Sequence, residues 1–509
     1  MRPLLLLLLL LFSGNTGFAQ VPARLKTRTR PQLEHDLSRA LDAQLLVEMV
    51  KHPSAFYPGT ADRIVSRASL ENPVVPCSID ALRREDIRSG RTWARYQRLL
   101  SAIDSLKPTL LLDAVTLWGT WEMDEHLARA RHLVADVKEK NPEIVVMGSP
   151  NEFVNAGIIA HRAIPQYVWD AYGLPNENRP FDCTRMRDSL TSTECGNGFL
   201  PQIKHPETQM YYYWLATTYI ALGCEAISFS AINAIGSPNT YTAEWTGVVN
   251  RIRQYADTCA AVRFVLVTGH SPTGYYDTAG NLLFDFHIEP LRPTETPRDA
   301  AYLPGPNGGA SVLNAQPQCP TLYQNGRGGR NPNGWTCERN PGLIFMDNYM
   351  EAVRTNPGSE FALWGNPHKA RRRKPWACWN PYHLDEISWY ALQTAAYRDS
   401  FLRYAARRVP EIDPALRLVM PFKRSVAAGT DAFAEYTCDG GENYHRREWW
   451  PAEYFAVDPD GELFRDPPRV GNYFFAQPDR ARLPLFGGYG QESVIREIWE
   501  GQGVGNSNE

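Results

Sequence analysis

Thr109–Trp118 and Glu143–Met147 are short apolar runs rich in β-branched residues, the pattern of buried strands. Between them, Asp124–Asn141 repeats apolar positions at Leu127, Ala130, Val134 and Val137, the spacing of one helix face. Acidic residues open that stretch and Asn141-Pro142 closes it, as helix ends require. Strand, helix and strand in succession predict a parallel sheet with right-handed crossovers.

The alternation continues along the chain. Glu207–Leu222 reads as a helix capped by Gly223, followed by a strand over Glu225–Asn233, a helix over Thr242–Ala261 and a strand over Arg263–Thr268. Tyr275–Pro290 reads as a hairpin turning at Ala279-Gly280-Asn281. Its second strand places Asp285, His287 and Glu289 on one face and Phe284, Phe286 and Ile288 on the other. Leu343–Met346 and Glu360–Trp364 are short strand candidates, His383–Arg408 is one long helix, and Leu416–Met420 ends the alternation. Upstream, Asp36–Val50 carries a helical stripe, Phe56 marks a first strand, Val74–Cys77 a further short one, and Arg91–Leu106 a helix.

About eight strands result, and a (β/α)8 barrel with long loop insertions is the economical fold, with an open doubly wound sheet as the alternative. The barrel spans 20–425, with insertions at about 155–206 and 291–341. A C-terminal extension, 426–509, is dominated by turns and aromatics. The 509 residues suit a barrel of about 250 residues enlarged by such insertions.

The first residues are a targeting signal. Arg2 precedes the apolar run Leu4–Phe12, and Gly17-Phe18-Ala19 offers small residues at a cleavage site before Gln20. Residues 1–19 predict export to a secreted or periplasmic location. The run is too short for a stable membrane span, and Gly223 with Glu225 interrupts the other apolar stretch, Trp214–Ile235. Nine cysteines suit an oxidising compartment. Cys183 with Cys195, and Cys319 with Cys337, bracket loops that a disulfide would clip; Cys224 and Cys259 read as core. The odd total leaves at least one thiol free or paired between chains; the oligomeric state is not legible.

A net charge of −3 argues against a nucleic-acid partner, and Arg371–Lys374 is a solvated loop. No G-x-S-x-G, P-loop, G-x-G-x-x-G, H-E-x-x-H or paired-cysteine metal motif occurs, so no cofactor and no metal are expected.

The chemistry converges on strand ends. Gly148-Ser149-Pro150 stops the strand before Asn151-Glu152, where a carboxylate can protonate a leaving group and an amide can hold a substrate hydroxyl. Glu289 ends a later strand. Cleaving a glycosidic bond needs two flanking carboxylates. The pattern resembles the retaining glycoside hydrolases of the large (β/α)8 clan, in which an Asn-Glu ends one strand and a second Glu a later one. The resemblance covers two strand ends and implies Glu152 as acid/base, Glu289 as nucleophile and Asn151 as a substrate contact.

Trp118, Trp121 and Glu122 crowd one strand-end loop, and the chain holds 14 Trp, whose faces stack on sugar rings. His287 is placed to orient Glu289 or touch substrate. The expectation is an exported hydrolase of polysaccharide or oligosaccharide. The alternatives are a non-catalytic carbohydrate-binding barrel and a metal-dependent hydrolase using Asp285, His287 and Glu289. A charged strand on the solvent side of a hairpin gives the same alternation and is the favoured account of that last triplet.

Overall fold

The computed structural model describes residues 99–117, 123–154, 161–188, 199–260, 262–271, 274–291, 327–331, 336–347, 395–437, 443–456 and 491–501. Short pieces at 44–47, 159, 294–296, 303–304, 310–312 and 386–391 are described as well. The framework is mixed α/β. Its strands are β1 (Gln44–Val47), β2 (Leu110–Leu117), β3 (Val145–Pro150), β4 (Ala226–Phe229), β5 (Leu266–His270), β6 (Phe286–Pro290), β7 (Gly342–Phe345), β8 (Leu416–Leu418), β9 (Met420–Thr437) and β10 (Asn443–Phe455). Its main helices are α1 (Met123–Lys140), α2 (Pro206–Ala221), α3 (Thr242–Cys259), α4 (Ala395–Ile412) and α5 (Glu492–Gly501).

The strands form one 10-stranded sheet in the order β8-β7-β6-β5-β4-β3-β2-β1-β9-β10. All its pairings are parallel except β9 with β10. β8 and β9 lie far apart in that order, yet only Val419 separates them in the chain. A flat sheet would hold them several strand spacings apart, each about 4.8 Å, and one residue reaches about 3.8 Å. The sheet therefore curls into a partial barrel.

Two apolar layers follow from the period of two along each strand. Leu110 and Leu112, Val145 and Met147, Leu266, Phe286 and Ile288, Leu343 and Phe345 meet inside the curl. Leu111, Val146, Ile227, Val267 and Ile344 face the helices. α2 is apolar almost all round and is buried accordingly, with Tyr211, Tyr212 and Trp214 in the outer core. Gly148 of β3 lets α2 approach closely, since a Cβ there would stand 2.7 Å from the Tyr219 ring. Phe229 and Trp245 of α3 meet edge-on at 5.4 Å between centroids.

Several expectations change. Asp36–Val50 is not a continuous helix, because Gln44–Val47 is β1. Parallel pairing with β2 and β9 overrides the helical stripe. The expected hairpin shrinks to the bridge Tyr276–Leu282, while β6 pairs in parallel with β5 and β7. The strand expected to Asn233 stops at Phe229, and a short helix, Ile232–Gly236, follows. Within the long helix expected from His383, Glu386–Ala391 and α4 are helical, and α4 runs on through Pro410 to Ile412. Among the described residues of the C-terminal extension, β9 and β10 pair antiparallel over most of their length. Phe56, Val74–Cys77, Glu360–Trp364 and residues 1–19 lie outside the described residues.

The cysteines also divide. Cys337 has a free thiol, so the clip expected with Cys319 is not formed; Cys319 itself lies outside the described residues. Backbone pairing of Gly329–Arg330 with Thr336–Cys337 closes that turn instead. Cys183 is disulfide-bonded, to a partner outside the described residues. Cys224 is a buried thiol, pushed up to about 12 by burial, whereas Cys259 is exposed and not core. Among the described residues, no helix is long and apolar enough to cross a membrane.

Candidate functional site

β3 hands over to its loop at Asn151-Glu152. The Ser230 hydroxyl, just past β4, donates to Glu152 Oε2 at 2.5 Å. The Glu152 amide in turn donates to Ser230 Oγ at 3.1 Å. This reciprocal pair fixes the carboxylate between the ends of two neighbouring strands. Ser230 is held by the turn behind it, where Ala231 adopts a left-handed backbone (φ 38°) at the start of the short helix. Asn151 is used locally. Its Oδ1 accepts from the Phe153 amide at 3.0 Å, an Asx-turn, and its carbonyl accepts from the buried Tyr212 hydroxyl at 3.3 Å.

β6 places the second expected carboxylate elsewhere. Phe286 and Ile288 point into the inner cluster, so Asp285, His287 and Glu289 share the opposite, helix-facing side. All three are buried, which excludes a solvent-facing strand. Asp285 accepts from the Arg253 guanidinium of α3 at 3.2 Å and from the Val267 amide at 2.7 Å. His287 packs against Gly342 and is pushed down to about 4 by burial, so it is a neutral core imidazole at pH 7. β4 and β5 separate β3 from β6 in the sheet. The structure does not align Glu289 with Glu152 on one inner face. Trp118, Trp121 and Glu122 lie outside the described residues. Of the tryptophans that are described, Trp169, Trp214, Trp245 and Trp499 are all core.

The inner face carries a second charged set that pattern reading missed. Asp113 interrupts the apolar run of β2 with a left-handed backbone (φ 53°), where pairing to β3 slips between Leu111 and Val115. Such a bulge re-aims a side chain, and Asp is one of the few residues that tolerates the conformation. The Ser149 hydroxyl donates to Asp113 Oδ1 at 2.6 Å. Arg424 of β9 stands on the other side, Nη1 lying 3.5 Å from Asp113 Oδ2, while its Nη2 donates to Asp347 Oδ1 at 3.0 Å. His270, the last residue of β5, lies 4.0 Å from Asp347 and 5.3 Å (ring centroids) from Phe345. The Arg424 guanidinium also sits over the Phe345 ring.

Five strands or their following residues thus deliver polar groups to one end of the curl. The Arg424 side chain is 2% exposed, against 22% for Asp113 and 14% for Asp347. The cation is sequestered and the carboxylates remain reachable. Two carboxylates thus flank one guanidinium at this end of the curl. The signal was present in the sequence: a lone acid within TLLLDAVTLW and an acid directly after LIFM are the same strand-end logic as Asn151-Glu152. Among the described residues, no group of three His, Cys, Asp or Glu side chains could hold a metal ion.

No protein-family model matches this chain, and no curated protein matches it.

Proposed function

We propose that this chain is an exported hydrolase of glycosidic bonds, acting on a polysaccharide or oligosaccharide, built on a curled parallel α/β sheet that forms a partial barrel. The observation that carries the reading is the meeting of Asp113, Asp347 and His270 around Arg424 in a curled parallel sheet, with Glu152 tied to Ser230 just past the ends of β3 and β4. Parallel α/β sheets place their chemistry at the carboxyl ends of their strands. The barrel reading is supported by the single residue between β8 and β9, strands that pair with β7 and β1 respectively. Export, to a secreted or periplasmic location, is supported by the N-terminal Leu run and Gly17-Phe18-Ala19.

Glu152 is the proton donor to the leaving oxygen. It stands at a loop-facing strand end with one oxygen tied to Ser230. The test is release of reducing ends from a panel of glycans by the mature protein, with binding to the same panel measured alongside. Turnover that Glu152→Gln abolishes supports the reading. Binding without turnover would make the protein a carbohydrate-binding barrel instead.

A further inference from the structure

We infer that Asp113 is the second catalytic carboxylate, the ionised partner of Glu152, and takes the role that sequence reasoning gave to Glu289. The inference rests on the glycosidic reading above and goes further by naming the residue that attacks the sugar.

Three independent placements support it. Asp113 meets Arg424, whose guanidinium lies over the inner-face ring of Phe345, and its side chain is 22% exposed, whereas Glu289 shares the helix-facing side of β6 with His287. Asp113 and Glu152 come from adjacent strands, and Ser149, which donates to Asp113, precedes Glu152 by only three residues. Arg424 and Ser149 hold Asp113 from two sides and favour its charged form, the form that acts as nucleophile or base. The left-handed backbone at Asp113 falls where the pairing of β2 with β3 slips, a conformation unusual in a non-glycine residue.

The chemistry balances without any further reactant except water. An Asp113 oxygen forms a bond to the anomeric carbon as the bond from that carbon to the leaving oxygen breaks. The leaving oxygen takes the proton from Glu152. Water then attacks the same carbon, gives its proton to Glu152 and releases the Asp113 carboxylate.

The experiment uses the mature protein and an activated aryl glycoside of whichever sugar the wild type cleaves. Asp113→Asn keeps the shape and tolerates the left-handed backbone. Asp113→Gly relieves that backbone and opens space for a small anion. Both should stay folded and lose at least a hundredfold in turnover, and added formate or azide should restore part of the Asp113→Gly rate by replacing the missing carboxylate. A folded variant that keeps more than a tenth of wild-type turnover overturns the assignment, as does loss with no rescue by either anion. Failure of both variants to fold would make Asp113 a structural residue and overturn it equally. A wild type that turns over no glycan on the panel sinks the glycosidic reading itself, an outcome distinct from these.

Discussion

The Ser230 hydroxyl donates to Glu152 Oε2 at 2.5 Å, and the Glu152 amide donates back to Ser230 Oγ at 3.1 Å. One side chain therefore contacts both the carboxylate and the backbone amide of Glu152. Ser230→Ala should lower turnover by roughly tenfold or more, the equivalent of a hydrogen bond to a charged group at about 1.5–3 kcal/mol. Thermal unfolding should change much less. Steady-state kinetics beside a melting curve check this, and unchanged kcat/KM would count against a positioning role.

Arg179 and Glu207 predict a different effect. Both guanidinium Nη atoms donate to Glu207, at 2.7 Å each, and the carboxylate also accepts from the Asp182 amide. Glu207 opens α2 and is buried, so this pair anchors the segment 161–188 to α2. Glu207→Ala should cost roughly 1–3 kcal/mol, because the Asp182 amide loses its acceptor and Arg179 keeps only Glu177 and the Pro180 carbonyl. Limited proteolysis should then cut within 161–188 earlier than in the parent.

His287 sets a pH dependence. Its folded value is pushed down to about 4 by burial, from the ordinary 6.5. Above pH 6.5 both folded and unfolded imidazole are neutral and the group costs nothing. As pH falls from 6.5 towards 4, the unfolded chain takes up a proton that the fold refuses, and stability drops. The loss reaches about 3 kcal/mol at the low end. Urea unfolding at pH 7 and pH 4.5 should show a smaller difference in His287→Leu than in the parent. An equal difference would refute the assignment.

Gly342 is the point where β7 passes His287. A Cβ there would stand 2.5 Å from both His287 Cε1 and Leu416 Cδ2. Gly342→Ala should destabilise by roughly 1–3 kcal/mol through overpacking. A melting temperature equal to the parent's would show that the β6–β7–β8 contact yields more easily than close packing suggests.

Cys183 is already bridged, and Cys195 is its expected partner, twelve positions along the same loop. Peptide mapping without reduction should recover the two in one fragment. Replacing Cys183 by Ser should cost on the order of 3 kcal/mol in the chain-entropy account of a short loop. Recovery of Cys195 as a free thiol would redirect the bridge.

The β/α order over Thr109–Thr268 was legible because each element is long and buried on a consistent face. α1 and α3 keep their apolar stripes, and β4 lies within its expected run, while β3 and β5 begin in theirs but run on to Pro150 and His270, past the residues expected to stop them. Legibility failed where pairing partners decided. Leu45 and Leu46 fit a helix stripe as well as a strand, and only β2 and β9 on either side settle the matter. The β6 alternation was visible, but not which face turns inward.

The sequence by itself determined that an α/β chain would gather acids at strand ends, because apolar period and strand-stopping residues are local properties of the chain. It could not decide which acids meet. Asp113, Asp347 and Arg424 are separated by 234 and 77 positions along the chain. A bulge in β2, the curl of the sheet and the one-residue step from β8 to β9 bring them to one guanidinium. Glu289 shows the converse. Its sequence context matched a catalytic strand end, but a period of two leaves the inward face open, and Phe286 and Ile288 took that face because the curl buries apolar surface there.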